Sequence, residues 1–443
     1  MQIAPFKGLQ YNPDKTSFIS RVVAPPYDLI EPELAEELRQ RDPHNVIRLI
    51  LGKEGPQGRP AEEYRQAALT FAAWRREEVI IPVPEPSVYV CEQAFELHGA
   101  RHVRHGLICA MLLEGFGSGQ VLPHERTLAG PKADRLRLME ACEAGLSQVF
   151  GVFSDPEGQA DAMLRNMRAA DPLYEFRDTD NVAYRVWRVT EEAYIRHLAS
   201  LLEKEVMLIA DGHHRYETAL RYRDRHRPEG VPTGSVPADF LPIYCVSVKS
   251  AGLQILPTHW LAKAVPPFDA EVFILALERH FELERREFQG PEGLREALRL
   301  WPEREDSIAC HLRQQRLYIL SPKSPQVLED ILPDRSPVWR CLAVTVLHYA
   351  VLRPFFGIPA DGEGSEPRLA FSQDIEKMYW SVESQRFDAG FFLPPVRPAT
   401  VETIARVGER MPPKSTFFYP KIVSGLVFYP LDPQSTCPRI ATY

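Results

Sequence analysis

The amino-acid sequence predicts an α+β protein with mixed, largely antiparallel sheets and surrounding helices. Short apolar runs that favour strands occur in hairpin-like pairs, and amphipathic stretches of helical period lie between them. The 40 prolines indicate many ordered connections and interrupted helices. From about residue 266 the pattern shifts to amphipathic helices and a short hairpin. We therefore expect two α+β lobes, residues 1–260 and residues 261–443.

The first lobe begins with an extended segment, a turn at 24–28 and a short helix from Pro32. Tyr64, Phe71 and Trp74 share one face of a helix predicted over 61–77. The other elements expected here are a hairpin of strands 87–97 and 103–113, a helix over 132–144, a strand over 150–153, helices over 158–170 and 191–203, a strand over 206–210 and a helix from His213.

Around the predicted lobe boundary, residues 241–248 and 253–257 indicate a second hairpin. In the second lobe we expect a hairpin at 311–320 and a helix over 338–352. The tail from residue 368 predicts a helix, a strand and a second helix, followed by a polar turn and a last strand over 422–429.

Charge and composition argue against several classes of protein. The net charge of −8 and the pI near 6.0 disfavour a general nucleic-acid binder. The first residues lack the pattern of a signal peptide, and no apolar run is long enough to span a membrane. The seven cysteines form no CxxC pair and fit reduced thiols, so we expect a cytoplasmic protein.

The strongest functional signal is the segment 211–215, Asp-Gly-His-His-Arg, between a predicted strand and a predicted helix. His213, His214 and Arg215 would lie in the first helical turn, beside free N–H groups and the positive end of the helix dipole. Cations are disfavoured there unless an anion joins them. The segment therefore predicts a phosphate or carboxylate site that includes Gly212. The alternative is an ordinary helix start with Asp211 as its N-cap and solvated histidines.

The segment 123–135 places an acid, a base and two arginines around a helix start. Arg126 and Lys132 are candidate phosphate contacts, and Glu125 or Asp134 would hold a metal ion. A salt-bridged surface loop explains the same residues equally well. Two further candidates in this segment are His124 and Arg135.

Two more candidates lie at turns. Two prolines at 25–26 stiffen the backbone before Tyr27 and Asp28, so Asp28 could act as a general base on a substrate hydroxyl. A plain helix cap is the alternative role for Asp28. His259 follows a predicted strand, and a structural histidine is the simpler interpretation of it.

The segment 411–421 contains residues that would suit an anion clamp, or equally a loop packed on the core; they are Lys414, Ser415, Thr416 and Lys421. Although its lysine, serine and threonine look like the end of a P-loop, no GxxxxGK[ST] occurs in the chain. The glycines at 115–119 are not followed directly by a helix, which argues against a dinucleotide fingerprint. Adjacent helical residues point about 100° apart, so His213 and His214 do not make a zinc pair.

Six of these segments together resemble a known family; they are VAPPYD, PHERT, GPKADR, ADGHHRYETA, LPTH and MPPKSTFFYPK. The family is the bacterial one catalogued as domain of unknown function 1015, and the resemblance spans essentially the full length. Its name implies little chemistry. The DGHHR turn is also similar to the phosphate-binding turn of the ParB/sulfiredoxin superfamily, which includes partition nucleotidases, sulfiredoxins and free serine kinases. This similarity implies a ParB/sulfiredoxin-like core in the first lobe.

Within that superfamily the resemblance favours the free serine kinases, which share a DGHHR-like turn. Sulfiredoxins carry a cysteine where His213 stands, and the partition proteins carry basic helices that a charge of −8 does not match. By resemblance, Gly212, His213, His214 and Arg215 would hold nucleotide phosphates. A carboxylate from the N-terminal segment would take the proton of the acceptor, and Asp28 is the candidate.

The leading hypothesis is therefore a phosphotransferase that moves a phosphoryl group between ATP or ADP and a small hydroxylated acceptor, with free serine as the best guess. Mg²⁺, held by the phosphates and by Asp211 or Glu125, is the expected cofactor. One alternative is hydrolysis of a phosphomonoester such as phosphoserine, with His213 or His214 as acid or phosphoryl acceptor. Another is a non-enzymatic, nucleotide-gated binding module. The expected partners are a nucleotide and an amino acid or phosphoamino acid, and a homodimer is left open.

Overall fold

The computed structural model describes residues 1–16, 18–52, 59–127, 129–167, 171–265, 268–301, 304–324, 328–359, 367–432 and 434–440. The strands in this part of the chain are β1 (Ile3–Ala4), β2 (Leu9–Tyr11), β3 (Ile80–Pro82), β4 (Val88–Leu97), β5 (Ala100–Leu112), β6 (Val121–Pro123), β7 (Ala144–Gly145), β8 (Val149–Phe153), β9 (Tyr174–Arg177), β10 (Ala183–Val189), β11 (Met207–Asp211), β12 (Phe240–Ser247), β13 (Gln254–Leu256), β14 (His259–Ala262), β15 (Phe281–Glu287), β16 (Ile308–Leu312), β17 (Arg316–Pro322), β18 (Leu369–Ser372), β19 (Ala389–Phe392), β20 (Phe417–Tyr419) and β21 (Tyr429–Pro430).

The α-helices described are α1 (Ile19–Val22), α2 (Pro32–Arg41), α3 (Ile47–Ile50), α4 (Ala61–Arg76), α5 (Ala129–Cys142), α6 (Gln159–Asn166), α7 (Glu192–Leu202), α8 (His213–His226), α9 (Ala270–Leu277), α10 (Gly290–Arg299), α11 (Pro337–Arg340), α12 (Ala343–Val346), α13 (Ile375–Glu383) and α14 (Pro398–Arg406). A π-helix, Leu347–Phe356, follows α12. Across the described ranges, no helix combines the length and the apolarity that a membrane crossing needs.

The chain folds into two compact units. The first unit consists of Met1–Gln254 and Pro420–Tyr443, and the second consists of Ile255–Tyr419. The first crossing lies close to the predicted division at residue 260. The sequence did not predict the second crossing, through which residues 420–443 join the first unit.

The first unit is built on a mixed sheet with the strand order β6-β11-β8-β12-β5-β4-β10-β9, and β1 also pairs with β5. Two of its pairs, β6–β11 and β8–β12, are parallel, and the others are antiparallel. On one face, Leu107 and Cys109 of β5 share a buried cluster with Leu198 and Leu202 of α7. By strand alternation the opposite face of β5 carries Arg104, a buried charged residue, and this face is important for the site.

The second unit is built on an antiparallel sheet with the order β15-β17-β16-β19-β14-β18. Its buried cluster joins Leu261 of β14 and Ile319 of β17 with Met378 and Val382 of α13. Each unit therefore has its own apolar core.

These observations confirm the predicted α+β class with largely antiparallel sheets. The helix predicted over 61–77 is α4, and the strand over 150–153 is part of β8. The first hairpin is β4–β5, with His98 and Gly99 in the left-handed region that two-residue hairpin turns require (φ 51° and 77°). Of the helix predicted over 158–170, α6 forms the first part, and residues 168–170 lie outside the described residues.

Four predictions about elements are wrong in whole or in part. The second hairpin does not form, because β12 pairs with β5 and β8 while β13 pairs with β20. The helix over 338–352 is divided into α11, α12 and the π-helix. The predicted helix, strand and helix of the tail are present as α13, β19 and α14, but the unpredicted strand β18 precedes them. The last strand is reduced to β21, since residues 422–428 form only single bridges, Leu9–Phe428 and Ala24–Ser424. Strands β9 and β10 were not predicted.

Candidate functional site

The strand-to-helix transition at Gly212 is present as the sequence predicted. β11 ends at Asp211, Gly212 adopts φ 87°, and α8 begins at His213. A Cβ on Gly212 would lie 2.8 Å from Nε of Arg215, so this position needs glycine for both its backbone angle and its space. No described side chain caps this helix, and the N–H groups of its first turn are the donors that attract anions at helix N-termini.

Asp211 is not the N-cap. Its Oδ1 accepts a hydrogen bond from Nζ of Lys421 at 2.5 Å, and its Oδ2 accepts one from Nη2 of Arg215 at 2.6 Å. Burial alone would raise the pKa of Asp211, but the charges of Lys421 and Arg215 outweigh it and lower the pKa below the ordinary value. Two cations thus share one carboxylate. A further negative charge could therefore be balanced here. We call Asp211, Gly212, His213, His214, Arg215 and Lys421 the candidate site.

Arg215 is held on three sides. Beyond Asp211, its Nη1 donates to the backbone carbonyl of Gln148 and lies 3.4 Å from Oγ of Ser147. Its Nε is buried and has no hydrogen-bond partner within the described residues. The guanidinium also lines a cavity of about 50 Å³, together with Ser147, Arg135 and apolar side chains. The side chain is therefore fixed beside a small cavity and is not solvated.

His213 is buried, with 3 % of its surface exposed. Its Nε2 accepts a hydrogen bond from the backbone N–H of His124 at 3.3 Å, and its Nδ1 lies 3.7 Å from Oε2 of Glu125. The rings of His213 and His124 meet edge-on with centroids 4.7 Å apart. An Nε2 that accepts a hydrogen bond leaves the ring proton on Nδ1, toward Glu125. This geometry suits a residue that holds the segment 123–127 against α8, and it disfavours the predicted role of His213 as acid or phosphoryl acceptor.

His214 is only half-buried, and burial lowers its pKa, opposed in part by the carboxylates of Asp28 and Glu217. Asp28 is exposed and follows Tyr27, whose ring lies under the guanidinium of Arg135 at 4.0 Å. Burial raises the pKa of Tyr27, and Arg135, Asp28, Arg215 and Asp211 act on the same hydroxyl electrostatically. The N-terminal turn therefore comes within electrostatic reach of the candidate site.

Lys132 is bound to α8. Its Nζ donates to Oε2 of Glu217 at 2.7 Å and to Oγ1 of Thr127 at 2.8 Å, and Thr127 donates to Oε1 of Glu217 at 2.8 Å. Glu217 was not among the predicted site residues, although its place one turn after His213 on a basic helix start was a usable signal. Arg126 is exposed.

The predicted metal ligands are largely engaged by the protein. Asp134 accepts hydrogen bonds from the hydroxyl of Tyr64 at 2.8 Å and from Nε of Arg135 at 2.7 Å. Both oxygens of Asp211 are engaged, as described above. Across the described residues, no group of three or more His, Cys, Asp or Glu side chains is arranged to hold a metal ion. Glu125 lies 3.7 Å from Nδ1 of His213 and 4.0 Å from Nε2 of His124.

The other predicted site residues belong to the second unit. His259 is buried in β14, its Nδ1 accepts a hydrogen bond from the N–H of Leu393 at 3.3 Å, and burial lowers its pKa to about 4. It has the geometry of a structural histidine. Ser415 donates to the carbonyl of Pro412 at 2.5 Å, and Lys414 is exposed with φ 57°. Lys414, Ser415 and Thr416 thus lie in the second unit, whereas Lys421 lies in the first.

Comparisons with known proteins agree with the family resemblance. A family model described as "Protein of unknown function (DUF1015)" matches residues 3–345. No curated protein matches the chain.

Several solved structures are similar to part of the chain. A conserved hypothetical protein from Pyrococcus furiosus is 14% identical, with a TM-score of 0.33, and the match covers 72% of this chain and 95% of that one. A free serine kinase in complex with AMP is 13% identical, with a TM-score of 0.34 and coverages of 72% and 92%. SbnI with a C-terminal truncation, from Staphylococcus aureus, is 10% identical, with a TM-score of 0.32 and coverages of 71% and 85%.

Proposed function

The chain belongs to the DUF1015 family, whose description names no activity. From the contacts of the candidate site, we propose that the protein is a phosphotransferase. It would move a phosphoryl group between a nucleotide and a small hydroxylated acceptor such as serine. The observation that carries the proposal is the convergence of distant segments on one helix N-terminus. Lys421 contacts Asp211, Glu125 lies near His213, and Asp28 acts on His214.

The binding part of the proposal rests on charge. The first-turn N–H groups of α8 and the two cations that share Asp211 favour a polyphosphate, since phosphate oxygens accept hydrogen bonds from both kinds of donor. Phosphoryl transfer depends mainly on positioning and on charge compensation, which these groups would supply. Lys421 would add a phosphate oxygen to its contact with Asp211, while Arg215 keeps the carboxylate in place.

The chemical step would use Asp28. The acceptor hydroxyl attacks the terminal phosphorus, the bond from that phosphorus to the bridging oxygen breaks, and the hydroxyl proton passes to the Asp28 carboxylate. His214, whose pKa burial lowers, is neutral near pH 7 and would orient the acceptor as a hydrogen-bonding group.

Asp211 does not fit as a magnesium ligand, because Lys421 and Arg215 occupy its oxygens. Mg²⁺ usually binds through one or two carboxylates and the substrate phosphates, so Glu125 is the residue that would hold it. When bound, the ion would neutralise charge that develops on the phosphates.

Calorimetric titration with ATP and with ADP is the direct test of binding. We expect binding by the native protein and a loss of affinity of about tenfold or more in Lys421→Met, since one charge-assisted contact contributes that much. The matched control is His226→Ala, which removes an exposed histidine at the other end of α8. Arg215→Ala is a poor test variant, because its loss would disturb Asp211 and Gln148 as well. No heat with either nucleotide would overturn the proposal.

The chemical step is tested by incubating ATP with serine and following phosphoserine by ³¹P NMR. Asp28→Asn should lower kcat strongly while leaving the KM for the nucleotide near the native value, because the proposed role of Asp28 is to bind the acceptor and not the phosphates. Release of phosphate from phosphoserine without any nucleotide would contradict transfer and indicate hydrolysis.

A further inference from the structure

A row of buried polar side chains crosses three neighbouring strands of the first unit. Gln93 of β4 lies directly opposite Arg104 of β5 and opposite Tyr184 of β10. All three are fully buried, with 0 % of their surface exposed. Tyr244 of β12 approaches the row from the other side of β5. Because cross-strand partners share a face, these side chains form one layer on the face opposite Leu107.

Gln93 is the centre of this layer. Its Oε1 accepts hydrogen bonds from Nε of Arg104 at 3.1 Å, from Nη2 of Arg104 at 2.5 Å and from the hydroxyl of Tyr244 at 2.8 Å. Its Nε2 donates to the hydroxyl of Tyr184 at 2.8 Å. Phe150 packs on the guanidinium of Arg104, 4.8 Å from the ring centroid. A Cβ on Gly106 would lie 2.2 Å from the ring of Tyr244, so that ring is also fixed.

The layer binds the backbone on both sides of Lys421. Nη2 of Arg104 donates to the carbonyl of Pro420. The carbonyl of Lys421 accepts from the hydroxyl of Tyr184 at 2.9 Å and from Nε2 of Gln93 at 3.1 Å. The two carbonyls flank the Cα of Lys421. Fixing both of them sets the backbone angles there and the direction in which its side chain leaves.

We propose that Arg104, acting with Gln93 and Tyr184, is a positioning residue that holds Lys421 against Asp211. Burying a guanidinium is costly unless it is fully hydrogen-bonded, and here its donors reach the segment that carries Lys421. The consequence for catalysis rests on the proposed function, but the placement of Lys421 does not.

Selective labelling of Lys421 tests the placement. A limiting amount of acetic anhydride is added across pH 6–10, and acetylation at Lys421 is followed by mass spectrometry. Tyr184→Phe removes the hydroxyl that contacts the carbonyl of Lys421. Tyr244→Phe is the matched control, because it also removes one buried hydroxyl from Gln93 but none from residues 420–421. We expect labelling to rise roughly two- to tenfold in Tyr184→Phe, the factor that one lost hydrogen bond gives, and to stay unchanged in Tyr244→Phe.

A conservative pair separates positioning from general support of the fold. Arg104→Lys keeps a donor and Arg104→Met keeps only the bulk, so labelling in Arg104→Lys should lie between that of the native protein and that of Arg104→Met. Equal labelling in Tyr184→Phe and Tyr244→Phe would overturn the proposal. So would equal labelling in the two Arg104 variants at matched melting temperature.

Nucleotide kinetics then keep the two proposals apart. With turnover, Tyr184→Phe should raise the KM for the nucleotide more than Tyr244→Phe does. Altered labelling of Lys421 without nucleotide binding by any form of the protein supports the positioning role and contradicts the proposed function. Nucleotide turnover with unaltered labelling of Lys421 supports the proposed function and contradicts the positioning role.

Discussion

Gly212 decides the geometry of the candidate site at the scale of one residue. Its left-handed backbone turns the chain from β11 into α8, and its missing side chain leaves space for the guanidinium of Arg215. A residue with a Cβ must meet both demands at once. An added Cβ would therefore strain the backbone at residue 212 and displace the guanidinium of Arg215. Both changes would disturb the contacts of Asp211 with Arg215 and Lys421.

We predict that Gly212→Ala lowers the free energy of unfolding by roughly 2–4 kcal/mol, the sum of the left-handed backbone cost and a displaced buried side chain. Gly158→Ala is the matched control, since Gly158 also precedes a helix with positive φ (68°) but has no atom within 4 Å of an added Cβ. Gly158→Ala should lower the free energy of unfolding by only about 1–2 kcal/mol. Urea unfolding measures both, and equal losses would show that Arg215 is not disturbed.

His259 makes stability depend on pH. Burial lowers its pKa from 6.5 to about 4 in the folded protein. The unfolded chain therefore takes up a proton below pH 6.5 and the folded protein does not. The contribution of His259 to the free energy of unfolding is therefore largest above pH 6.5. Below pH 6.5 it falls by about 1.4 kcal/mol for each pH unit, until the pH reaches the pKa of the folded protein.

The prediction is that native stability falls by roughly 3 kcal/mol more than that of His259→Gln between pH 7 and pH 4. Glutamine can still accept the hydrogen bond from Leu393 but does not titrate. Urea unfolding at several pH values measures the difference. Parallel curves for the two proteins would mean that His259 is not the titrating group.

At the scale of elements, the β16–β17 hairpin has an unusual turn. Gln314 and Gln315 both adopt positive φ (64° and 55°), where asparagine and glycine are the favoured residues. Glu383 accepts hydrogen bonds from both backbone N–H groups, at 3.2 and 2.9 Å, and also lies 3.1 Å from Nε2 of His311. A carboxylate from α13 thus holds a turn that its own sequence disfavours.

We expect Gln314→Asn to raise the free energy of unfolding by about 0.5–1 kcal/mol, because asparagine tolerates the left-handed region better. Gln314→Val should lower it, since a β-branched residue is strained there. Thermal unfolding compares the two variants with the native protein. A lower melting temperature for Gln314→Asn would mean that the glutamine side chain itself stabilises the turn.

Elements set by local pattern were predictable, and elements set by distant partners were not. The apolar run before Asp211 and the glycine after it sufficed to predict β11 and α8. The apolar run at 241–248 predicted the strand that is β12, but its partners β5 and β8 are distant in the sequence, so the pairing was not predictable. Residues 422–428 have the apolar pattern of a strand. Their carbonyls are bound partly by side chains, as Gln148 binds that of Val427 at 2.7 Å, so no ladder forms.

The same distinction holds for the candidate site. Asp211 and Lys421 were both predicted as site residues, yet 210 positions separate them. Nothing in the sequence around either residue indicates that they contact each other. The contact depends on Arg104, Gln93 and Tyr184, which look like ordinary strand residues in the sequence. β9 and β10, which were missed, carry one member of that layer.

At the scale of the whole molecule, the second unit interrupts the first. The chain leaves the first unit through β13 and returns through β20, and these strands pair with each other. Paired strands are about 4.8 Å apart, so the two crossing points lie side by side. Residues 255–419 are therefore an insertion with adjacent ends and a core of its own.

We predict that a chain with residues 255–419 replaced by a Gly-Ser linker of about four residues still unfolds cooperatively, because the core of the first unit lies outside the insertion. Calorimetric unfolding measures this, with the isolated segment 255–419 as the companion sample. Loss of cooperative unfolding would contradict the division. Nucleotide titration of the shortened chain also tests the predicted part of Lys414, Ser415 and Thr416 in phosphate binding.

The return of residues 420–430 to the first unit has a consequence for synthesis. The strand bridges to Leu9 and Ala24 and the contact of Lys421 with Asp211 all wait for this late segment. A ribosome adds about 5–20 residues per second. After residue 254, roughly 10–30 seconds more therefore pass before residues 420–430 are synthesised. During that time the nascent first unit exposes surface that chaperones would have to shield. A copy cut short inside the insertion would lack Lys421, so under the proposed function it would be inactive.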